Sequence, residues 1–391
     1  MTQQILITIS ALIIISYLFD ILAKWVKIPS VILLLSSGVV IKIFWDALGL
    51  PAYEVKPLLE LFGTVGLILI VLEGSLDLEL SKSKLPLIKS SLISATSFLL
   101  LASFAIAFIL QYYFGCTWKI AWINAIPLAV ISSAVAIPSA ANFERKSREF
   151  IVYESSFSDI VGIMVFNFAL MDNAGSVGSF FKFGFDTLLI VVISILSSIL
   201  LFVFLHYVKL HLKFIFTFAV LFLLYALVKG LHLPSLLLIM FFGLLLNNYK
   251  LLNFEWIQKW LKEDKFDKEL DLLKSITAES AFLIRTFFFL LFGFSLILSQ
   301  LNDINLWLIT LELTVVLFII RWIVLRLTDK KLVFPALFIG PKGLITVLLF
   351  YSIPTEKRIF GFEEPSIFMI IIVTCLLMMG GTVFSKKAEI K

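Results

Sequence analysis

Acidic and hydroxyl side chains cluster in an otherwise apolar stretch. The segment 151–170 reads IVYESSFSDIVGIMVFNFAL, and its first half contains Glu154, Ser155, Ser158 and Asp159. An acid deep in a membrane helix is costly, and such residues mark ion or proton pathways. Residues four apart share a helix face, so Ser155 lies beside Asp159 and Glu154 beside Ser158. Carboxylate and hydroxyl oxygens suit a proton or a small alkali cation, and we expect that cation to bind at Asp159.

Three further charged residues bear on this segment. Lys342 lies in an interrupted apolar span at a depth similar to that of Asp159, and its ammonium needs an acidic partner. Glu154 is the candidate, and Arg285 competes for the same partnership. Glu73 closes the third apolar span, where it either extends to the inner headgroups or joins the ion site. Both interpretations of Glu73 stay open.

Other polar residues in the apolar spans receive structural interpretations. Glu312 and Arg321 are nine residues apart in one span and are predicted to brace the core. The three histidines, at positions 206, 211 and 232, fall near span ends, where a wet interfacial side chain is the expectation. Cys116 and Cys375 are isolated thiols, so neither a disulfide framework nor a structural metal site is predicted.

The composition is that of a polytopic membrane protein. Of 391 residues, 61% are hydrophobic and 15% are charged, and the mean hydropathy is +1.06. Such values exclude a soluble enzyme. The net charge of +5 comes from loop residues and the 40 Phe suit lipid-facing surfaces, so no nucleic-acid partner is expected.

Thirteen apolar spans are predicted, each long enough to cross a bilayer of about 30 Å as a helix. Most Lys and Arg residues fall in alternate loops, which predicts an outside N-terminus and a cytoplasmic C-terminus in the cell membrane. The first span has no cleavage pattern and is interpreted as a retained helix. The predicted spans are 4–23, 30–48, 57–76, 86–112, 118–141, 150–170, 183–206, 213–230, 233–248, 277–299, 304–325, 333–353 and 366–384.

The fifth and twelfth spans carry helix-breaking residues. The fifth, NAIPLAVISSAVAIPSAANF, has Ser132 and Ser133 between two prolines, and the twelfth, VFPALFIGPKGLITVLLF, has Lys342 between Gly-Pro and Gly. Both spans are predicted to unwind near mid-membrane. Interrupted spans at matching places in two halves indicate inverted repeats with a binding site between them.

The predicted domain is a single transmembrane transporter domain of 391 residues. Residues 1–170 form the first repeat, 171–212 a connecting helix and 213–391 the second repeat. The one long loop, 249–276, combines aromatic residues with Lys and is predicted to be a cytoplasmic amphipathic linker.

Five motifs resemble the monovalent cation/proton antiporter superfamily, in particular its sodium/proton exchanger branch. They occur in that family's order across almost the whole chain. The motifs are LFGTVGLILIVLEGSLDLEL at 61–80, ISSAVAIP at 131–138, ESSFSD at 154–159, FFFLLFGFSL at 287–296 and GPKGLITVLLF at 340–350.

The resemblance implies an all-α antiporter of about 13 transmembrane helices. Its inverted repeats would contribute two broken helices that cross, within a six-helix core beside a dimerisation domain, and transport would be elevator-like. The resemblance implies a homodimer in lipid that exchanges Na⁺, or K⁺ or Li⁺, for H⁺ without a cofactor. Asp159 would be the essential carboxylate, with Glu154 and Lys342 as a structural ion pair. The oxygen ligands would come from Ser155, Glu73, Ser132, Ser133 and Ser158.

Three positions depart from the family pattern. Ser133-Ala134-Val135 stands where the family has Thr-Asp-Pro, so an acid is missing from the fifth span. Ser158 replaces the usual Asn or Asp before the key acid, which predicts electroneutral exchange with one titrating carboxylate. Lys342 replaces Arg, which removes the planar fork needed for a bidentate pair.

Two alternatives from other classes remain. One is a transporter of the same architecture that moves an organic anion with Na⁺. The other is a non-transporting sensor or assembly subunit in which the polar residues no longer serve transport.

Overall fold

The structure, a computed structural model, contains helices and connecting loops, and no strand, in the part of the chain that it describes. That part comprises residues 3, 10, 13–19, 21–22, 29–49, 55–140, 143–171, 177–207, 213–231, 233, 235–251, 263–296, 302–329 and 333–389. Within it the α-helices are α1 (Ser30–Ala47), α2 (Lys56–Asp77), α3 (Leu85–Phe114), α4 (Trp118–Ala129), α5 (Ser133–Ser139), α6 (Arg145–Leu170), α7 (Val177–Tyr207), α8 (Lys213–Gly230), α9 (Ser235–Asn247), α10 (Glu263–Phe294), α11 (Ile304–Thr328), α12 (Val333–Leu337), α13 (Leu344–Tyr351) and α14 (Glu364–Glu389).

These helices follow the predicted apolar spans. With α4 and α5 counted as one interrupted span and α12 and α13 as another, the described helices match predicted spans two to thirteen in order. Eight of the described helical segments are long and apolar enough to cross a membrane, and α8 and α9 are shorter apolar helices. The first predicted span lies largely outside the described residues. The prediction of an all-α polytopic membrane protein is confirmed.

Both predicted interruptions are present. The fifth span is non-helical from Val130 to Ser132, and the twelfth is interrupted between Leu337 and Leu344. Pro127 lies inside α4 rather than at the break. The chain unwinds beyond the proline because the backbone groups there bond to other elements. The two unwound segments meet, since the N–H of Ser132 donates to the carbonyl of Pro341 at 3.0 Å.

The described chain divides into two compact units. Unit 1 comprises Met1–Leu67, Leu87–Gly162 and Phe282–Lys391, and unit 2 comprises Ile68–Pro86 and Ile163–Ala281. In unit 1, α11 packs on α14 and α12, and α13 packs on α4. Both interrupted spans therefore belong to unit 1.

Helix α1 and the part of α10 that belongs to unit 1, from Phe282 onward, approach each other closely at a pair of glycines. A Cβ atom added to Gly38 would lie 2.8 Å from the Phe294 nitrogen, and one added to Gly293 would lie 3.2 Å from the Gly38 Cα. No side chain fits at such distances, so the two backbones touch directly. Glycine is required at both positions because of this close approach.

Unit 2 is built on α7, α8 and α9, with α9 packed on the other two. At the end of α9, the Asn248 amide donates to the carbonyl of Leu78 at 2.8 Å and accepts from the N–H of Leu80 at 2.6 Å. The side-chain amide thereby acts as both donor and acceptor for the backbone of the loop after α2. This arrangement fixes the end of α2 within unit 2.

The predicted linker 249–276 is only partly a loop. A 3₁₀ turn covers Tyr249–Leu251, and α10 begins at Glu263 and continues without a break into the tenth predicted span. Lys250 pairs with Asp267 at 2.8 Å near the start of α10. The intervening residues 252–262, with both linker tryptophans, lie outside the described residues.

Candidate functional site

The interruption of the fifth span is held by hydrogen bonds to α6 and to the other interrupted span. The Ile131 N–H donates to Ser158 Oγ at 2.9 Å, and the Ser133 N–H points to Asp159 Oδ2 at 3.4 Å. Between them, the Ser132 N–H bonds to the Pro341 carbonyl. Buried backbone groups need partners, and these consecutive N–H groups find theirs outside their own helix. The fifth span unwinds because these partners replace the helical ones.

Asp159 presents a free carboxylate oxygen inside unit 1. The residue is 7% exposed, and its Oδ1 atom has no hydrogen-bond partner among the described residues. The donors to its carboxylate in the described chain come from Ser133, whose N–H lies 3.4 Å from Oδ2 and whose side chain also bonds to it. A buried carboxylate with so few donors is poorly stabilised as an anion. A bound cation or a proton would stabilise this carboxylate in place of the missing hydrogen-bond donors.

The serines predicted around Asp159 are in different situations. Ser132 Oγ is buried without a hydrogen-bond partner in the described chain, and Gly343 approaches it so closely that an added Cβ would lie 2.6 Å away. Ser155 Oγ is buried but donates to the Ile151 carbonyl at 2.7 Å, one turn back in α6. Ser132 and Ser133 therefore lie with Asp159 and Ser158 at the break, whereas the Ser155 hydroxyl proton is used within its helix.

Glu73 belongs to unit 2, whereas Asp159 belongs to unit 1. Its side chain is half-buried near the end of α2. Its role as a cation ligand stays a prediction.

The predicted partner of Glu154 is wrong. Glu154 pairs with Arg321, at 2.9 Å between Oε2 and Nη2 and 3.4 Å between Oε1 and Nη1. Both side chains are at most 3% exposed. Ser94 Oγ donates to the same carboxylate at 2.6 Å. The planar guanidinium meets both carboxylate oxygens, which neither Lys342 nor Arg285 does in the described structure.

Arg321 also caps α12. It donates to the carbonyl of Ala336 from Nε at 3.0 Å and to that of Ile339 from Nη2 at 2.6 Å. These carbonyls lie where α12 ends, and helix ends favour a cation there. The prediction that Arg321 and Glu312 brace the core holds for Arg321, which is buried, but not for Glu312, which is exposed. Nine residues turn a helix through two and a half revolutions, so the two side chains point to opposite faces. Glu312 instead accepts from the hydroxyl of Tyr113 at 2.8 Å.

Lys342 and Arg285 bond to backbone carbonyls. The Lys342 ammonium donates to the carbonyls of Ala129 and Val130 at 3.1 and 2.9 Å. Arg285 donates to the carbonyl of Ala134 at 3.2 Å, in the first turn of α5. Neither forms an ion pair with Glu154 in the part of the chain described. The two cations hold the segments on either side of the break.

The arrangement separates the two acids of α6 by function. Glu154 is neutralised by Arg321, whereas Asp159 keeps an unused oxygen at the meeting point of two interrupted spans. The described residues contain no group of three or more His, Cys, Asp or Glu that could hold a metal ion. The carboxylate oxygen of Asp159 and the serine hydroxyl oxygens at the break suit a hard monovalent cation.

Comparison with known proteins identifies the family. A sequence model of the sodium/hydrogen exchanger transmembrane family matches residues 9–385. The structure of the sodium proton antiporter MjNhaP1 from Methanocaldococcus jannaschii at pH 8 has a TM-score of 0.75 and 18% identity, covering 97% of this chain and 99% of that one. An electron-microscopy structure of the same antiporter has a TM-score of 0.69 and 16% identity, covering 100% and 97%. No curated protein sequence matches. The chain therefore belongs to the transmembrane sodium/hydrogen exchanger family and is a multi-pass cation/proton antiporter.

Proposed function

We propose that this protein exchanges one monovalent cation for one proton and that both bind at Asp159, with Na⁺ as the first candidate and K⁺ and Li⁺ as the alternatives. The observation that carries the proposal is the buried Asp159 carboxylate whose Oδ1 lacks a hydrogen-bond partner among the described residues. Ser133, Ser132, Ser158 and Ser155 are the proposed oxygen ligands, and the role of Glu73 stays a prediction from the sequence. No resident cofactor takes part.

Coupling follows from competition at a single carboxylate. Asp159 must be ionised to hold the cation and protonated to return without it, so the two cargoes exclude one another. The other buried acid of α6, Glu154, has its charge balanced by Arg321. Position 158 is a serine whose hydroxyl accepts from the Ile131 N–H. One titrating group then carries one charge in each direction, and the exchange is electroneutral.

The cationic groups near the break argue against an organic anion as cargo. Lys342 donates to two carbonyls, and Arg321 is shared between Glu154 and the end of α12. A carboxylate substrate would have to displace these bonds. The open carboxylate oxygen of Asp159 equally argues against a non-transporting subunit, because an unused buried charge is costly without a ligand.

The protein is proposed to function as a homodimer in the cell membrane, with the N-terminus outside and the C-terminus in the cytoplasm. The charge bias of the loops supports the orientation. In unit 2, α7 exposes large apolar side chains, among them Phe181, Phe185 and Leu196. Lipid and a second copy of the chain would cover such a surface.

The test is cation-driven pH change in proteoliposomes containing a pH-sensitive dye, measured with Na⁺, K⁺ and Li⁺ in turn. Asp159→Asn is expected to abolish exchange because the amide can neither bind a proton nor neutralise a cation. Asp303→Asn is the matched control: Asp303 caps α11 by accepting from the Asn305 N–H at 2.9 Å, and Asn caps equally well. Normal exchange by Asp159→Asn would refute the assignment.

Electroneutrality has a separate readout in the same vesicles. A potassium gradient with valinomycin imposes a membrane potential, and the Na⁺/H⁺ exchange rate is expected to be independent of its sign and size. A rate that follows the potential would contradict the one-for-one stoichiometry while leaving the role of Asp159 intact.

A further inference from the structure

Lys342 is a buried ammonium that bonds to backbone rather than to an acid. Its residue is 1% exposed, and its Nζ donates to the carbonyls of Ala129 and Val130. Ala129 is the last residue of α4, where helical carbonyls are left without N–H partners. The negative end of the helix dipole favours a cation at this place. Lys342 therefore caps one interrupted span from within the other.

The surroundings fix the lysine in this position. Its own N–H donates to Thr374 Oγ1 at 3.1 Å, which ties its backbone to α14. Its Nζ lies 5.4 Å from the ring centroid of Phe98, which suits a cation on an aromatic face. Arg321 lies near the same ring, at 5.6 Å from guanidinium carbon to ring centroid. Glu154, the nearby acid, is already paired with Arg321.

The carbonyls held by Lys342 are close in sequence to the groups that face Asp159. Val130 immediately precedes Ile131, whose N–H bonds to Ser158, and Ser133 follows two residues later with its N–H toward Asp159. A short unwound stretch is thus bound on one side by Lys342 and on the other by α6. Movement at its first residues is transmitted along a few peptide bonds to the Ser133 N–H.

We propose that Lys342 is a positioning residue for the cation site. By holding the end of α4, its ammonium sets the distance between the unwound stretch and the Asp159 carboxylate, and so the affinity for the cation. This inference rests on the proposed function of Asp159. The role that it assigns to Lys342 differs from the predicted one, which is to neutralise the charge of Glu154. Lys342 need not touch the cation.

The test measures the Na⁺ concentration for half-maximal exchange in proteoliposomes for Lys342→Met and Lys342→Arg. Met keeps the length and loses both hydrogen bonds, and the half-saturation concentration is expected to rise by about tenfold, or about 1.4 kcal/mol. Arg donates in several directions and is expected to bring the value back to within about threefold of wild type. A Na⁺-dependent rise in thermal stability, measured in detergent, should weaken in Met and recover in Arg, independently of transport.

Asn248→Ala is the control that distinguishes a positioning effect of Lys342 on the cation site from a general loss of protein stability. Asn248 lies in unit 2 and bonds to the loop after α2, so its loss should lower the melting temperature and leave Na⁺ half-saturation unchanged. If Lys342→Met gives no folded protein, Lys342→Gln replaces it, with an expected rise of about threefold because one amide donor group remains.

Unchanged half-saturation in the folded Met or Gln variant would overturn the proposal, as would an equal rise in Asn248→Ala. Failure of Arg to restore the value would also count against it. Exchange that survives Asp159→Asn would instead refute the proposed function. The two failures are therefore distinguishable.

Discussion

The bond between Glu154 and Arg321 can be measured by a double-mutant cycle. Arg321 donates to both carboxylate oxygens and to two carbonyls at the end of α12, all of them buried. Removing one member of a buried pair leaves the other charge uncompensated, at a cost of about 3–5 kcal/mol. Arg321→Met should cost more than Glu154→Gln, because it also leaves the carbonyls of Ala336 and Ile339 without their donor. In the double variant neither charge remains, so its loss should be smaller than the sum.

The assay is the free energy of unfolding in mixed detergent micelles, with a parallel cycle between Glu154→Gln and Lys342→Met. A coupling of about 2 kcal/mol or more is expected for Arg321, and near-additivity, within about 0.5 kcal/mol, for Lys342. Lys146→Met is the control, since its pair with Asp329 is exposed and should contribute no more than about 1 kcal/mol. Additive losses for Glu154 and Arg321, or stronger coupling to Lys342, would refute the pairing of Glu154 with Arg321.

Three further variants test one close backbone approach and two side-chain hydrogen bonds. Gly343→Ala should impair Na⁺/H⁺ exchange, because its Cβ would meet Ser132 Oγ; wild-type rates in proteoliposomes would contradict that close approach. Ser158→Ala should lower the unfolding free energy by about 1–3 kcal/mol, because the buried Ile131 N–H loses its acceptor, with an unchanged denaturation midpoint as the contrary result. Asn248→Ala should lower the melting temperature in detergent, and an unaltered melting curve would show that the loop after α2 holds without it.

The interruptions of the fifth and twelfth spans can be predicted from nearby residues, but the exact position of the break in the fifth span cannot. Pro, Gly and Ser in the fifth and twelfth spans predict both interruptions, because these residues weaken helical hydrogen bonding wherever they occur. The exact end of α4 is not predictable from Pro127, since the chain remains helical through the proline. The position of the break depends on partners supplied by Ser158, Asp159 and Lys342 from distant parts of the chain.

For the charged residues in the apolar spans, burial can be predicted from the sequence, whereas the pairing of Glu154 cannot. Glu154, Lys342 and Arg321 are predictable as buried, because an ionisable side chain in an apolar span must face the protein interior. The pairing predicted for Glu154 is wrong, because Lys342 and Arg285 carry the same charge as Arg321 and nothing local distinguishes them. The nine-residue spacing of Glu312 and Arg321 on one helix can be counted in the sequence, and it excludes an ion pair between them.

The sequence by itself determined the apolar helices, their order, the two breaks and the cost of burying Asp159. Each of these depends on residues near one another in the chain, on segment length and on the free energy of a charge in an apolar medium. Only the tertiary structure decided that Arg321 pairs with Glu154 and that Lys342 caps α4. Pairing depends on which helix faces meet across more than a hundred residues of sequence, and hydrogen-bond geometry then selects the forked guanidinium for the carboxylate and the ammonium for the carbonyls.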